Sequence, residues 1–128
     1  MGNGTSIGRV RGLGSAHNGA HHWLVARYTA IGNLLLGIWF VASLILLPDL
    51  DYGTVSAWIA RPLPATAMAL LIVSTFWHAR LGMQVVIEDY VHEEGSKFAA
   101  LVALNLAAIA GGVFGLFCIV RLALGGAA

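Results

Sequence analysis

Three long apolar stretches are the feature that most restricts how this chain can fold. They cover about residues 28–47, 63–87 and 98–120. Each is long enough to cross the ~30 Å hydrocarbon core of a bilayer as a helix that rises about 1.5 Å per residue. The chain is 59% hydrophobic and only 10% charged, whereas soluble domains are about one quarter charged. The sequence therefore predicts an all-α integral membrane protein with three transmembrane helices.

The polar ends of these stretches indicate the organisation and the orientation of the chain. Residues 1–26 are polar and Gly-rich with no apolar core before Trp23, so they predict a soluble arm, not a signal peptide. Residues 27–128 form the predicted anchor. Lys and Arg favour the inner side of a membrane. The predicted inner side has Arg9, Arg11, Arg27 and Lys97, and the other side has Arg61 and Arg121. This places the N-terminus and the second loop inside.

Charge and cysteine content exclude other classes of function. The net charge is +1 and the basic residues are scattered, so nucleic acid is not an expected partner. Cys118 is the only cysteine, which excludes an internal disulfide and a CxxC site.

Small residues at helical spacing predict close contacts between the helices. Gly32 lies in the first span, and Ala107, Gly111 and Gly115 follow a four-residue spacing in the third. Such spacing lets helix backbones approach closely in lipid. Packing within the chain is one interpretation, and a docking face for another membrane subunit is the other.

His78 is the ionisable residue that most clearly indicates function. It lies about ten residues, or roughly 15 Å, from the inner end of the second span, and ionisable groups at such depth are functional candidates. Two interpretations are open at this point: a histidine that is hydrogen-bonded to a neighbouring helix, or a ligand. Ser74, Gly82 and Asp89 fall within about 40° of His78 around the helix. Ser74 and Gly82, which lie one turn on either side of His78, are small.

This stripe favours the ligand interpretation, because small neighbours leave room for a bulky planar cofactor. Imidazole is a common axial ligand of haem iron. The other histidines lie outside the spans, so a second axial ligand would come from another chain.

Arg27 and His21 could serve the same site, whereas Arg80 faces away from it. Arg27 is near the level that a haem propionate could reach, where His21 could assist it; a snorkelling arginine that anchors the helix end is the alternative. Arg80 points about 200° away from His78, and pairing with a group on another subunit is the only role that the sequence indicates for it.

Asp89 and Tyr90 end the second span at the inner side. An interfacial tyrosine hydroxyl can donate to a carbonyl oxygen, and an adjacent carboxylate can orient it or relay protons. Tyrosines are enriched at interfaces in any case, so the pair alone is a weak signal.

Residues 78–83 (HARLGM) and 86–91 (VIEDYV) together resemble the hydrophobic membrane anchor subunit of succinate dehydrogenase, respiratory Complex II. Residues 18–21 (NGAH) and 27–31 (RYTAI) extend the resemblance to the segment before the first helix. The third helix is similar only in length and hydrophobicity. Arg80 departs from the pattern, since an aromatic residue is usual there, and the doublet His21-His22 leaves two candidates for one position.

The resemblance implies specific roles for these residues. His78 would be an axial ligand of a haem b that is shared with a second anchor subunit in a helical bundle, with Gly82 beside it. Arg27 and His21 would lie near the propionates. Tyr90 would hydrogen-bond a ubiquinone carbonyl with Asp89 beside it. No catalytic residue is expected in this chain, and it would not be catalytic without the other subunits.

The resemblance also implies the setting of the chain. Its partners would be a cytochrome b anchor, an iron–sulfur subunit and a flavoprotein, and the last two would hold the iron–sulfur clusters and the flavin. The complex would serve the tricarboxylic acid cycle and respiratory electron transport. A bacterial inner membrane is expected, with a mitochondrial inner membrane as the alternative. The alternative functions are an anchor of fumarate reductase or of another quinone-linked oxidoreductase, or a purely structural subunit.

Overall fold

The computed structural model describes residues 19–125, and these form four helices with no strand. The helices are α1 (Gly19–Leu46), α2 (Tyr52–Ile59), α3 (Pro62–Tyr90) and α4 (Glu94–Ala123). Three of them, α1, α3 and α4, are long and apolar enough to cross a membrane. The prediction of an all-α membrane protein with three spans is confirmed.

Helix α3 is the centre of the fold. Both α1 and α4 pack along it, whereas no backbone of α1 comes close to the backbone of α4 within the described chain. The three long helices therefore form a layer with α3 in the middle. The end of this layer that contains Gly19, Tyr90 and Glu94 is called the inner end below, after the predicted orientation.

The contact between α1 and α3 is close and partly polar. Gly32 lies against Ser74, so that a Cβ on Gly32 would be 3.4 Å from the serine hydroxyl. Thr75 donates a hydrogen bond to the side-chain oxygen of Asn33 at 3.4 Å. The two helices thus come near enough to exchange hydrogen bonds, with a small residue on each helix at this contact.

The contact between α3 and α4 depends on glycines in α4. A Cβ on Gly111 would overlap the ring of Phe76, and one on Gly115 would be 2.9 Å from Cγ2 of Ile72. Both glycines accommodate a large side chain of α3. Within this chain the four-residue spacing therefore serves packing, as the first interpretation proposed.

The short helix α2 was not predicted, since residues 49–61 read as a loop with aromatic residues for the membrane interface. Asp51 caps the helix by accepting a hydrogen bond from the backbone N–H of Thr54 at 2.7 Å, which lowers the pKa of Asp51. Trp58 is buried and stacks on Trp39 of α1, with ring centroids 5.6 Å apart. Helix α2 thus closes the outer end of the layer.

Helices α3 and α4 extend beyond the predicted spans at both ends, and α1 extends beyond its predicted span at the N-terminal end. The largest difference is at α1, which begins at Gly19, so residues 19–26 of the predicted arm are helical; residues 1–18 lie outside the described chain. Hydropathy finds only the part of a helix that matches the hydrocarbon, and a helix continues until its backbone is capped. At α4 that cap is Glu93, which accepts hydrogen bonds from Ser96 and Gly95 and has a lowered pKa as a result, the side chain of Ser96 contributing most.

Apolar side chains cover most of the outside of the layer. Leu34, Leu35, Ile109 and Phe117 are each at least 60% exposed. Among residues 19–125, the buried apolar side chains are Trp58, Ile59, Leu81 and Ile119, together with Pro64. Such a surface is what lipid and other membrane helices cover.

Candidate functional site

His78 lies on the α1 side of α3, and its ring is held by Thr29. The Nδ1 atom of His78 is 3.0 Å from Oγ1 of Thr29. The same hydroxyl oxygen is 2.9 Å from the carbonyl oxygen of Val25 and 3.1 Å from that of Ala26. Three possible hydrogen bonds therefore meet at one hydroxyl group.

The chemistry of these groups fixes where the protons are. A threonine hydroxyl has one proton, and a backbone carbonyl can only accept. If the hydroxyl donates a hydrogen bond to the carbonyl of the preceding helical turn, its oxygen can accept a hydrogen bond from Nδ1–H of His78. Each group at this contact then has a suitable partner. The opposite assignment would set the carbonyl oxygens against hydroxyl lone pairs. His78 is therefore assigned as the Nδ1–H tautomer.

This tautomer leaves Nε2 of His78 unprotonated. An imidazole with a hydrogen bond from one N–H and a lone pair on the other nitrogen is the usual state of a metal-binding histidine. No atom of residues 19–125 hydrogen-bonds to Nε2. The two interpretations of His78 are thus compatible, because one nitrogen bonds the neighbouring helix and the other is able to bind a ligand.

The space beside His78 is open on one side only. A Cβ on Gly82, one turn towards the inner end, would meet no atom within 4 Å. Ser74, one turn in the other direction, donates a hydrogen bond to the backbone oxygen of Thr29 at 3.2 Å and is covered by α1. The prediction of room on both sides is therefore wrong at Ser74, where the small residue serves helix packing.

No three or more histidine, cysteine or acidic side chains come together anywhere between residues 19 and 125. From this part of the chain, His78 can supply a single ligand. That donor set fits a cofactor that has most of its metal ligands built in, as haem has.

Arg27 is not in contact with His78. Its guanidinium lies over the ring of Trp23, 4.8 Å from the centroid. It is two residues from Thr29 and so projects from the other side of α1. A role of Arg27 at a haem propionate stays a prediction.

The doublet His21-His22 divides into an exposed and an inward residue. His21 is exposed, whereas His22 is half-buried and its Nε2 is buried with no hydrogen-bond partner among the described residues. His22 is two turns from Thr29 and on the same side of α1, the side that packs on α3. The proposed contact of His21 stays a prediction, and His22 is the better placed of the two.

Asp89 and Tyr90 are the last two residues of α3 and are both exposed, Tyr90 by 80%. Asp89 is eleven residues from His78, about 16 Å along the helix and on nearly the same side of it. Glu88 beside them accepts a hydrogen bond from Gln84 at 2.8 Å. The fold thus places the pair at the inner end and His78 at depth, as two separate parts of one helix.

Arg80 lies on the other side of α3, as predicted. Its Nε donates to the side-chain oxygen of Asn105 in α4. The amide nitrogen of Asn105 donates in turn to the backbone oxygen of Leu101 at 2.7 Å.

Sequence reasoning missed three residues that the fold brings into play. Thr29 and Asn105 are polar residues within apolar helices, and His22 was one of two candidates for one position. The indication that the sequence offered for these residues was that their side chains are polar. Which helix each one faces depends on how the helices are rotated against each other, and the sequence alone does not give that rotation.

Comparisons with known proteins agree with the resemblance in the sequence. Residues 1–114 match a family described as succinate dehydrogenase/fumarate reductase transmembrane subunit. Proteins named succinate dehydrogenase hydrophobic membrane anchor subunit are similar to most of the chain. The one from Rickettsia bellii is 32% identical over 80% of this chain and 82% of its own. The one from Paracoccus denitrificans is 32% identical over 84% of each chain.

The hydrogen bond between Thr29 and His78 is open to a direct test. We expect Thr29→Val to lower the free energy of unfolding in detergent by about 1 kcal/mol, because Nδ1–H loses its acceptor inside the layer. Thr29→Ser keeps the hydroxyl and is the matched control, and a double-mutant cycle with His78→Leu measures the coupling. If Thr29→Val and Thr29→Ser are equally stable, the assigned bond does not exist.

Proposed function

Because the chain belongs to the succinate dehydrogenase/fumarate reductase transmembrane subunit family, we propose that it is the anchor of a succinate:ubiquinone oxidoreductase that holds haem b and contributes to the ubiquinone site. The complex would link the tricarboxylic acid cycle to respiratory electron transport. This chain would bind and position groups there, and the oxidation of succinate would take place on another subunit.

The observation that carries the haem proposal is the orientation of the His78 ring. With Nδ1 donating a hydrogen bond to Thr29 at 3.0 Å, the Nε2 lone pair of His78 would be the group that binds haem iron. The open space at Gly82 would accept the edge of the macrocycle. Arg27, with His21 or His22, would bind the propionates. The haem supplies a one-electron carrier inside the membrane.

A second ligand of the haem iron would come from a second anchor subunit. The remaining histidines are His17, His21, His22 and His92, and all four lie outside the three long apolar stretches of the sequence. A haem shared between two chains would also hold them together. The exposed apolar faces of the layer provide the area for such a contact.

The quinone contact would be at the inner end of α3. The hydroxyl of Tyr90 would donate a hydrogen bond to a quinone carbonyl oxygen, which withdraws electron density and favours reduction. Quinone reduction takes up two protons, and the carboxylate of Asp89, which is exposed, would pass them from water. The exposure of both side chains supports a site that another subunit completes.

The proposed setting is a bacterial inner membrane with a cytoplasmic N-terminus. A flavoprotein and an iron–sulfur subunit would dock at the inner end, where Asp89 and Tyr90 lie. The family description also covers fumarate reductase, but the relatives from Rickettsia and Paracoccus are named for succinate dehydrogenase, which favours that reaction. A purely structural subunit is the alternative that the next experiment tests.

We expect His78→Leu to remove haem from the purified membrane complex, or to change its reduced absorption spectrum, because Leu has no lone pair for iron. His92→Leu is the matched control, since His92 is exposed outside the helices. Gel analysis of the purified complexes should find the same subunits in both variants. A His78→Leu complex that assembles with an unaltered haem spectrum would exclude His78 as a ligand.

We expect Tyr90→Phe to lower succinate–quinone reductase activity about 10- to 100-fold, since one hydrogen bond to the developing quinol is lost. Succinate oxidation with an artificial dye should be unchanged, because that reaction bypasses the membrane site. Tyr52→Phe, an exposed tyrosine at the outer end, is the control. An equal loss of both activities would indicate an assembly defect and contradict the assigned role.

A further inference from the structure

The groove between α3 and α4 is separate from the site around His78. It has a volume of about 410 Å³. Its walls are mainly apolar side chains such as Val73, Trp77, Ile109 and Val113, and Arg80 and Asn105 are its polar lining residues. Trp77 and Gly82 point about 140° apart around α3. The groove therefore opens on the opposite side of the layer from the space beside His78.

Arg80 brings a permanent charge to this groove. Its Nε donates to Asn105, whose own amide is held by Leu101, so the acceptor oxygen is fixed towards the arginine. The two Nη groups bond no atom of residues 19–125. A guanidinium remains charged at any physiological pH. Four of its five N–H groups thus have no acceptor in the described chain, and Arg80 lines the groove.

This chain has no counter-charge at the depth of Arg80. All six acidic residues lie outside the membrane-embedded parts of the helices: Asp49, Asp51, Glu88, Asp89, Glu93 and Glu94. A charged side chain in a membrane is normally paired. A second copy of this chain would offer no carboxylate at that depth either.

The depth of Arg80 also excludes a lipid phosphate as the simple partner. With its 29 residues, α3 is about 43 Å long and, when centred, extends about 7 Å beyond each side of the hydrocarbon. Arg80 is ten residues from the inner end of α3, so its Cα lies about 8 Å inside the hydrocarbon. Its side chain leans towards the helix N-terminus, away from the nearer headgroups. Neither layer of phosphates comes within its reach.

We propose that the α3–α4 groove binds a transmembrane helix of a different protein chain, and that this helix carries an Asp or Glu side chain at the depth of Arg80. The apolar walls would contact the helix, and the guanidinium would hold its carboxylate with two parallel hydrogen bonds. This interface does not depend on haem or quinone binding, because it uses the opposite side of the layer.

Site-specific photocrosslinking in native membranes tests the proposal. Trp77, which is 48% exposed, is replaced by p-benzoylphenylalanine, and the irradiated adducts are identified by mass spectrometry. We expect an adduct with a membrane-spanning peptide of another chain that contains Asp or Glu. Arg80→Gln should lower its yield about tenfold, and Arg80→Lys should retain most of it. A probe at Val86, on the other side of α3, is the control that Arg80→Gln should not affect.

Three results would overturn the proposal: adducts with lipid alone, adducts with a second copy of this chain, or a protein adduct whose yield Arg80→Gln does not change. If Arg80→Gln prevents the chain from accumulating, a charge exchange replaces it. Arg80→Glu combined with Lys at the crosslinked acidic position should restore accumulation and yield. Failure of this exchange to restore either would also contradict the proposal.

Discussion

The hydrogen bond between Thr29 and His78 is the interaction on which the candidate site depends. In a bilayer no water is available to satisfy a polar group, so an imidazole at this depth must find its partners in protein or in a ligand. Thr29 can accept a hydrogen bond from Nδ1 because α1 comes close to α3, where the small residues Gly32 and Ser74 lie against each other. The packing of α1 on α3 thus leaves Nε2 of His78 as the ring nitrogen that is able to bind a ligand.

Because α3 is the central helix, its two sides face different candidate binding sites. His78 and Gly82 face the side that is proposed for haem, and Arg80 and Trp77 face the groove shared with α4. Because α1 and α4 pack on α3 and not on each other's backbones, both sides are accessible to other membrane helices. The layer has the form of a subunit that lies between partners, which agrees with its membership of a family of membrane anchors.

Much of the fold and part of the site could be predicted from the sequence. Long apolar runs have few structural solutions in lipid, so three helices followed directly, and the glycines at four-residue spacing in α4 do accommodate large side chains of α3. The depth of His78 followed from counting residues. Helix α2 was missed because it is short and is stabilised by the stacking of Trp58 on Trp39, a contact between residues far apart in the chain. The role of Thr29 was missed for the same reason.

The most direct test of this account is a density map of the purified membrane complex in lipid, at a resolution that shows side chains. The account predicts haem iron bound to Nε2 of His78, with Nδ1 at hydrogen-bonding distance from Oγ1 of Thr29. A map in which the iron is held without His78, or in which Nδ1 is the atom that faces the iron, would contradict it.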